Sequence, residues 1–208
     1  MAVKHVLGTA GELLTADAVI TNANAKGADR LIGNAGNDTL VGNGGADVLL
    51  GGAGNDLLRL SDGGVTQGAM GSFFKIDGGT GVDTLEFTSA LGTANNRFDF
   101  SRPTYGMVEN VEIFKLGTGN QYITLNHLDV LSITGDTNTS IDNPNFQKGH
   151  VLVIDGTSGD DVALTGGWNQ SAVATNVGVN GSGSFSVYQH GSDNLYVAIA
   201  DEVTKNIS

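Results

Sequence analysis

Aspartates stand at Asp29, Asp38, Asp47 and Asp56, each nine residues after the last. A leucine follows each by two positions, at Leu31, Leu40, Leu49 and Leu58, and a glycine precedes each by two, at Gly27, Gly36, Gly45 and Gly54. Gly33, Gly42 and Gly51 stand five positions ahead of the next three aspartates. A fifth unit runs from Gly78 and carries Asp83 and Leu85; Asp83 lies 27 residues after Asp56, in phase with the period. Carboxylates clustered in this way repel one another and resist compaction unless a cation neutralises them. Glycine lets backbone carbonyls approach a bound ion closely. Carboxylate and carbonyl oxygens are the hard donors that calcium takes, at about 2.3–2.6 Å. The chemistry on offer is cation binding.

A fixed period of this kind points to stacked repeats. The units read NAKGADRLI, GNAGNDTLV, GNGGADVLL and GGAGNDLLR, followed later by GGTGVDTLE. In each, a glycine-bearing turn leads into a very short strand whose leucine turns inward.

The pattern G-G-x-G-x-D-x-U-x resembles the calcium-binding nonapeptide repeat of RTX proteins. The resemblance implies an all-β fold: a parallel β-roll, continuing into irregular β-solenoid turns and closed by a C-terminal hairpin. It also implies that two nonamers make one turn of the roll, with each ion held between a loop and the loop one turn later. Asp29 would then share an ion with Asp47, and Asp38 with Asp56. Asp83 is expected on the side of Asp47, as a third site, if residues 61–76 bulge out as an inserted loop. In that family main-chain carbonyls complete the site. Here they would come from Gly33, Ala35, Gly52 and Gly54, and from the matching positions Asn24, Lys26, Gly42, Gly44, Gly79 and Gly81. The first unit departs from the pattern, with Asn24 and Lys26 where small residues are usual, so its site is expected to be weaker or to act as a cap. Two to three calcium ions or more follow.

Beyond the fifth unit, LEF, RFDF, VEIFKL, YITL and VLVID are short strand-like runs. GTGNQYITL and GTSGDDVAL read as worn nonamers. Residues 184–200 read as a hairpin, with Phe185 and Val187 alternating against Leu195, Val197 and Ile199 across a turn at 190–194. Most of residues 108–203 resembles the C-terminal region of large RTX adhesins, which in that family holds an uncleaved type I secretion signal read by an ABC exporter. The landmarks are the DVL run ending at Leu131, the GDDV turn at Gly159 and the GGW at Trp168. Asp129, Asp136, Asp160 and Asp161 are further candidate ligands, although ordinary turn chemistry accounts for aspartates without phase. The expected organisation is a capping segment at 1–23, the repeats at 24–87 and an irregular β-rich part at 88–208.

Composition agrees with repeated tight turns. The 208 residues include 32 glycines, 2 prolines and no cysteine, with a formal charge of −12. Nucleic-acid binding needs a basic stripe, which this balance opposes. Thiolate metal sites and disulfides are excluded. The first twenty residues lack the apolar core of a secretory leader, and no run approaches the roughly 18 apolar residues that span a bilayer. His5, His127, His150 and His190 are scattered and form no H-E-x-x-H, and no G-x-S-x-G elbow occurs. The expectation is a non-enzymatic, monomeric module, secreted or displayed at a bacterial surface, that folds on calcium outside the cell after passing a type I exporter. A surface- or glycan-binding module and an accessory module of a larger secreted enzyme are the alternatives. An ice-binding rank is disfavoured, because the repeated outward position holds Asn34, Asn43 and Gly52 over barely two turns.

Overall fold

The structure is a computed structural model that describes residues 5–7, 13–15, 30–42, 47–60, 75–87, 97–100, 108–117, 120–135, 149–175, 183–192 and 194–208. Successive strands are dealt alternately to two sheets. β1 (His5–Leu7), β3 (Arg30–Ala35), β5 (Val48–Ala53) and β7 (Lys75–Thr80) fall in the first. β2 (Leu13–Thr15), β4 (Thr39–Val41), β6 (Leu57–Leu60) and β8 (Thr84–Phe87) fall in the second. Every pairing within these stacks is parallel, with Leu31 beside Leu49 beside Ile76, and Leu40 beside Leu58 beside Leu85. All six side chains are fully buried. The burial alternates residue by residue, as a strand with one face on the core must.

From β9 (Arg97–Asp99) a third face opens. The chain then visits the sheets in rotation: β10 (Val108–Glu109) joins the first, β11 (Ile113–Leu116) the second and β12 (Tyr122–Asn126) the third. Where the next first-sheet strand is due, the chain forms helix α1 (His127–Thr134) instead. β13 (His150–Asp155) and β14 (Asp161–Thr165) resume the second and third sheets. β15 (Trp168–Thr175), β16 (Ser184–His190) and β17 (Leu195–Ala200) form an antiparallel meander that ends the second sheet, and β18 (Thr204–Ile207) ends the third. Among the described residues the architecture is therefore mostly β with one short helix, in open sheets of five, nine and four strands.

The helix is an addition to the all-β expectation, and its cause is local. Asn126 accepts hydrogen bonds from the N–H groups of Leu128 and Asp129, while the Asp129 carboxylate accepts the Asn126 N–H at 2.7 Å. This reciprocal capping box satisfies donors that a strand would have placed in a ladder. Val130 and Ile133 face inward, and Gly135 at φ +58 ends the helix. Asp129 is thus a capping residue.

The expected inserted loop at 61–76 is shorter at its C-terminal end. Lys75 and Ile76 already belong to β7, because Ile76 pairs with Leu49 and fills the core. Residues 61–74 lie outside the described residues. The expected hairpin at 184–200 is present, with β15 as an additional antiparallel strand. Near the centre, Phe114 meets Phe87 edge-on at 5.5 Å and Phe100 at 5.6 Å. β13 and β17, paired in parallel with each other, are buried almost throughout, as strands covered on both faces are.

Candidate metal centre

The turns between first-sheet and second-sheet strands are built alike. Asn34, Gly52 and Gly79 occupy the same place in successive turns, at φ +74, +113 and +102. L-residues disfavour this left-handed region, and asparagine tolerates it better than most. GNAGND therefore folds like GGAGND. Gly36, Gly54 and Gly81 repeat the positive φ two residues later.

This shared geometry stacks one carboxylate per turn. The Asp38 N–H donates to Asp56 Oδ1 at 2.8 Å, and the Asp56 N–H donates to Asp83 Oδ1 at 2.7 Å. Main-chain bonds run in parallel: Leu57 N–H to the Asp38 carbonyl at 2.9 Å, and Thr84 N–H to the Asp56 carbonyl at 2.8 Å. Asp38, Asp56 and Asp83 are 2 %, 2 % and 0 % exposed. At Asp56 and Asp83 one carboxylate oxygen is thus spent on holding the neighbouring turn in register. The other oxygen of these two residues, Oδ2, is buried and receives no hydrogen bond from the described residues.

Those second oxygens line small cradles floored by glycine. A methyl group on Gly51 would collide with both Asp56 Oδ2 and the Gly78 carbonyl oxygen. A methyl on Gly33 would meet Asp38 Oδ2 at 2.5 Å and the Gly51 carbonyl oxygen as well. Each level therefore combines a carboxylate oxygen of one turn with a carbonyl oxygen of the next. Leaving a buried acceptor unsatisfied costs about 1–3 kcal/mol, and more when it is charged. A hard cation removes that cost, and these residues fit one.

The sequence-predicted residues divide clearly. Asp38 and Asp56 stand on neighbouring turns of one stack, joined by the Asp38 N–H, with Gly33, Gly52 and Gly54 around them. The Gly52 and Gly54 carbonyls press against Gly79 and Gly81 of the following turn. Ala35 is exposed at the end of β3, beside Ala53. Asp83 departs from the expectation. It stacks on Asp56 and not on the side of Asp47, because the insertion lengthens one whole turn from 18 to 27 residues and returns the chain to the same face. Asp47 lies on the opposite side, 3 % exposed, with its Oδ2 approaching Gly42 in the manner of the other cradles. Its expected partner Asp29, with Asn24, Lys26 and Gly44, lies outside the described residues, as does Asp136.

Two acidic residues in the C-terminal part take rung positions. Glu112 accepts the Asp83 N–H at 2.7 Å and is 5 % exposed. No periodic signal marks it in the sequence, since it follows Asn110 and Val111 with no glycine. Asp160 accepts the Gln121 N–H at 2.9 Å in the same arrangement, but its Oδ2 accepts the Thr157 N–H at 2.8 Å. That rung satisfies itself. Asp161 accepts a hydrogen bond from the Asn206 amide at 2.7 Å.

Electrostatics follow from the stacking. Burial pushes the Asp83 carboxyl up to about 7; the Asp56 N–H opposes this, and the charges of Glu112, Asp56 and Asp77 add to it. Burial likewise pushes Glu112 up to about 7 against the N–H bonds it receives. Asp56 is raised by burial, opposed by the Asp38 N–H and reinforced by the Asp38 charge. Without a cation, the ladder competes for protons near neutrality. Among the described residues no three His, Asp or Glu side chains gather into one metal-holding group. The donor set is instead one carboxylate per turn with main-chain oxygen.

The sequence pattern of the RTX calcium-binding nonapeptide repeat family matches residues 25–58, in four copies. Residues 25–58 are thus similar to RTX calcium-binding repeats. The RTX match covers both Asp38 and Asp56, so the ladder and the family point to the same ion, calcium. RTX repeats of this kind are typical of secreted bacterial proteins. No curated protein and no solved structure matches the chain. No described helix is long and apolar enough to cross a membrane.

Proposed function

We propose that this chain is a calcium-dependent folding and export module of a type I-secreted bacterial adhesin. In this reading the repeats form a β-roll, the irregular part continues it, and residues 108–203 carry the secretion signal read by an ABC exporter. The module acts as a monomer and has no catalytic role. The observation that carries the reading is the ladder from Asp38 through Asp56 to Asp83, with buried second oxygens at Asp56 and Asp83 that nothing among the described residues satisfies. Where free calcium is submicromolar, these carboxylates repel and the repeats stay unfolded, a state that can thread a channel. Extracellular calcium-binding modules have dissociation constants of about 10⁻⁴–10⁻³ M, so millimolar calcium outside the cell fills them. Binding to the folded state alone then supplies folding free energy.

Circular dichroism with calcium and with chelator tests this. The expected result is a gain of β-structure with calcium that chelation reverses; a spectrum indifferent to calcium sinks the proposal. A sugar-binding reading gains nothing from the sole tryptophan. Trp168 is 4 % exposed and its indole N–H donates to the Thr165 carbonyl, so it offers no stacking platform.

A further inference from the structure

The geometry points to a further cation site at the upper end of the ladder, between turn 78–83 and turn 110–112, with Asp83, Glu112 and the Asn110 carbonyl as its oxygen donors. It rests on the reading of the ladder as calcium sites, and it extends that ladder beyond the nonapeptide pattern. Turn 110–112 reads Asn-Val-Glu, contains no glycine and lies far outside the matched repeats at 25–58.

The backbone nevertheless repeats the arrangement of the lower levels. The Asp83 N–H donates to Glu112 Oε2 at 2.7 Å, as the Asp56 N–H donates to Asp83 Oδ1 at 2.7 Å. The Glu112 and Ile113 N–H groups return bonds to the Asp83 carbonyl at 3.1 and 3.0 Å. Asn110 sits at φ +53, a conformation otherwise reserved for glycine in these turns apart from Asn34. Its carbonyl oxygen thereby presses against Gly78, where a methyl group would also meet Asp83 Oδ2 at 2.6 Å. The cradle at Gly78 therefore has the same two components as the cradle at Gly51.

What calls for a ligand is the second oxygen of Asp83. The residue is 0 % exposed, and among the described residues Oδ2 receives no hydrogen bond. Glu112, 5 % exposed, brings a second carboxylate to the same level. Two buried carboxylates beside a carbonyl oxygen form an all-oxygen, anionic donor set, which suits a hard divalent cation such as calcium.

The upper turn is fixed by the rest of the protein. The Val111 N–H donates to the Ile133 carbonyl of α1 at 2.9 Å, and the Val153 N–H of β13 donates to the Glu112 carbonyl at 2.8 Å. The Asn110 amide donates to Asp77 Oδ1 at 2.8 Å. An ion here ties the repeats to the helix and to the C-terminal sheets, so the C-terminal part senses calcium through Glu112.

Crystals of the full chain grown with calcium, measured for anomalous scattering, test the site directly. The expected result is a peak about 2.3–2.6 Å from carboxylate oxygens of both Asp83 and Glu112. Peaks at the Asp38 and Asp56 levels with none beside Glu112 overturn this site and leave the calcium reading intact. No peak anywhere on the ladder overturns the calcium reading itself. Isothermal titration of E112Q, whose Oε1 can still accept the Asp83 N–H, gives a second measurement. One fewer bound ion than wild type is expected at unchanged near-ultraviolet dichroism; unchanged stoichiometry and midpoint contradict the site.

Discussion

The backbone N–H of Asp56 donates to Oδ1 of Asp83 at 2.7 Å, although 27 residues separate them where 18 separate Asp38 from Asp56. Asp56 is therefore an inner rung, giving its N–H upward and accepting from below. Asp38 is the first described rung. Asp56→Asn should raise the calcium concentration at the folding midpoint by about tenfold or more, a decade being about 1.4 kcal/mol. Asp38→Asn should raise it less. Calcium titrations followed by circular dichroism separate the two, and equal shifts would contradict the shared rung.

Glycine floors the cradles, so a methyl group is a selective probe. Gly51→Ala places its Cβ 2.5 Å from the Gly78 carbonyl oxygen and against Asp56 Oδ2. It should abolish or severely weaken calcium-driven folding. Gly167→Ala is the control: Gly167 sits at φ +91 with open space around it, so alanine there meets only backbone strain of about 1–2 kcal/mol. It should lower the thermal midpoint of the calcium-loaded protein while displacing the calcium midpoint far less than Gly51→Ala. A calcium midpoint displaced as far by Gly167→Ala as by Gly51→Ala would remove the cradle from the explanation.

The period of nine makes the ladder legible in the bare sequence, because each repeat encodes turn, ligand and core leucine together. Leu31, Leu40, Leu49, Leu58 and Leu85 are all fully buried, as their spacing requires. The side on which Asp83 falls is not legible. That depends on whether residues 61–74 add half a turn or lengthen a whole one, and a phase of 27 residues fits both. Glu112 leaves no trace, because its role comes from a left-handed Asn110 and from a hydrogen bond to α1, neither of which has a periodic signature. The helix itself is readable in principle: Asn126 followed three residues later by Asp129 is a capping signal, masked by the strand-like YITL before it.

The raised carboxyls at Asp83 and Glu112 set the pH response of the calcium-free protein. Both titrate near 7 when folded, against about 4 when unfolded. Between those values the folded state holds more protons, so its stability is full below the unfolded value and falls as pH rises through about 7. In chelator, β-structure and thermal stability should therefore be greater at pH 5 than at pH 8. Calcium takes the place of the protons, so the calcium midpoint should drop as pH rises over the same window. Melts in chelator that are flat or improve from pH 5 to 8 would be inconsistent with protonated rungs.

Asp160 shows what a rung looks like when the chain completes it alone. Its Oδ1 accepts the Gln121 N–H and its Oδ2 accepts the Thr157 N–H, and the residue is 0 % exposed. The residue one turn before it is Gln121, uncharged, where the repeats place Asp38 or Asp56. With both oxygens engaged and no neighbouring carboxylate on its rung among the described residues, this level has no need of an ion. Asp160→Asn turns one acceptor into an amide N–H facing the Thr157 N–H. Breaking a charge-assisted hydrogen bond of this kind costs about 1.5–3 kcal/mol. Urea denaturation at saturating calcium should report that loss, while titration calorimetry should count the same number of bound ions as in the wild type. Loss of an ion on this substitution would mean that the C-terminal rung binds calcium too, and that the Thr157 bond is only its resting arrangement.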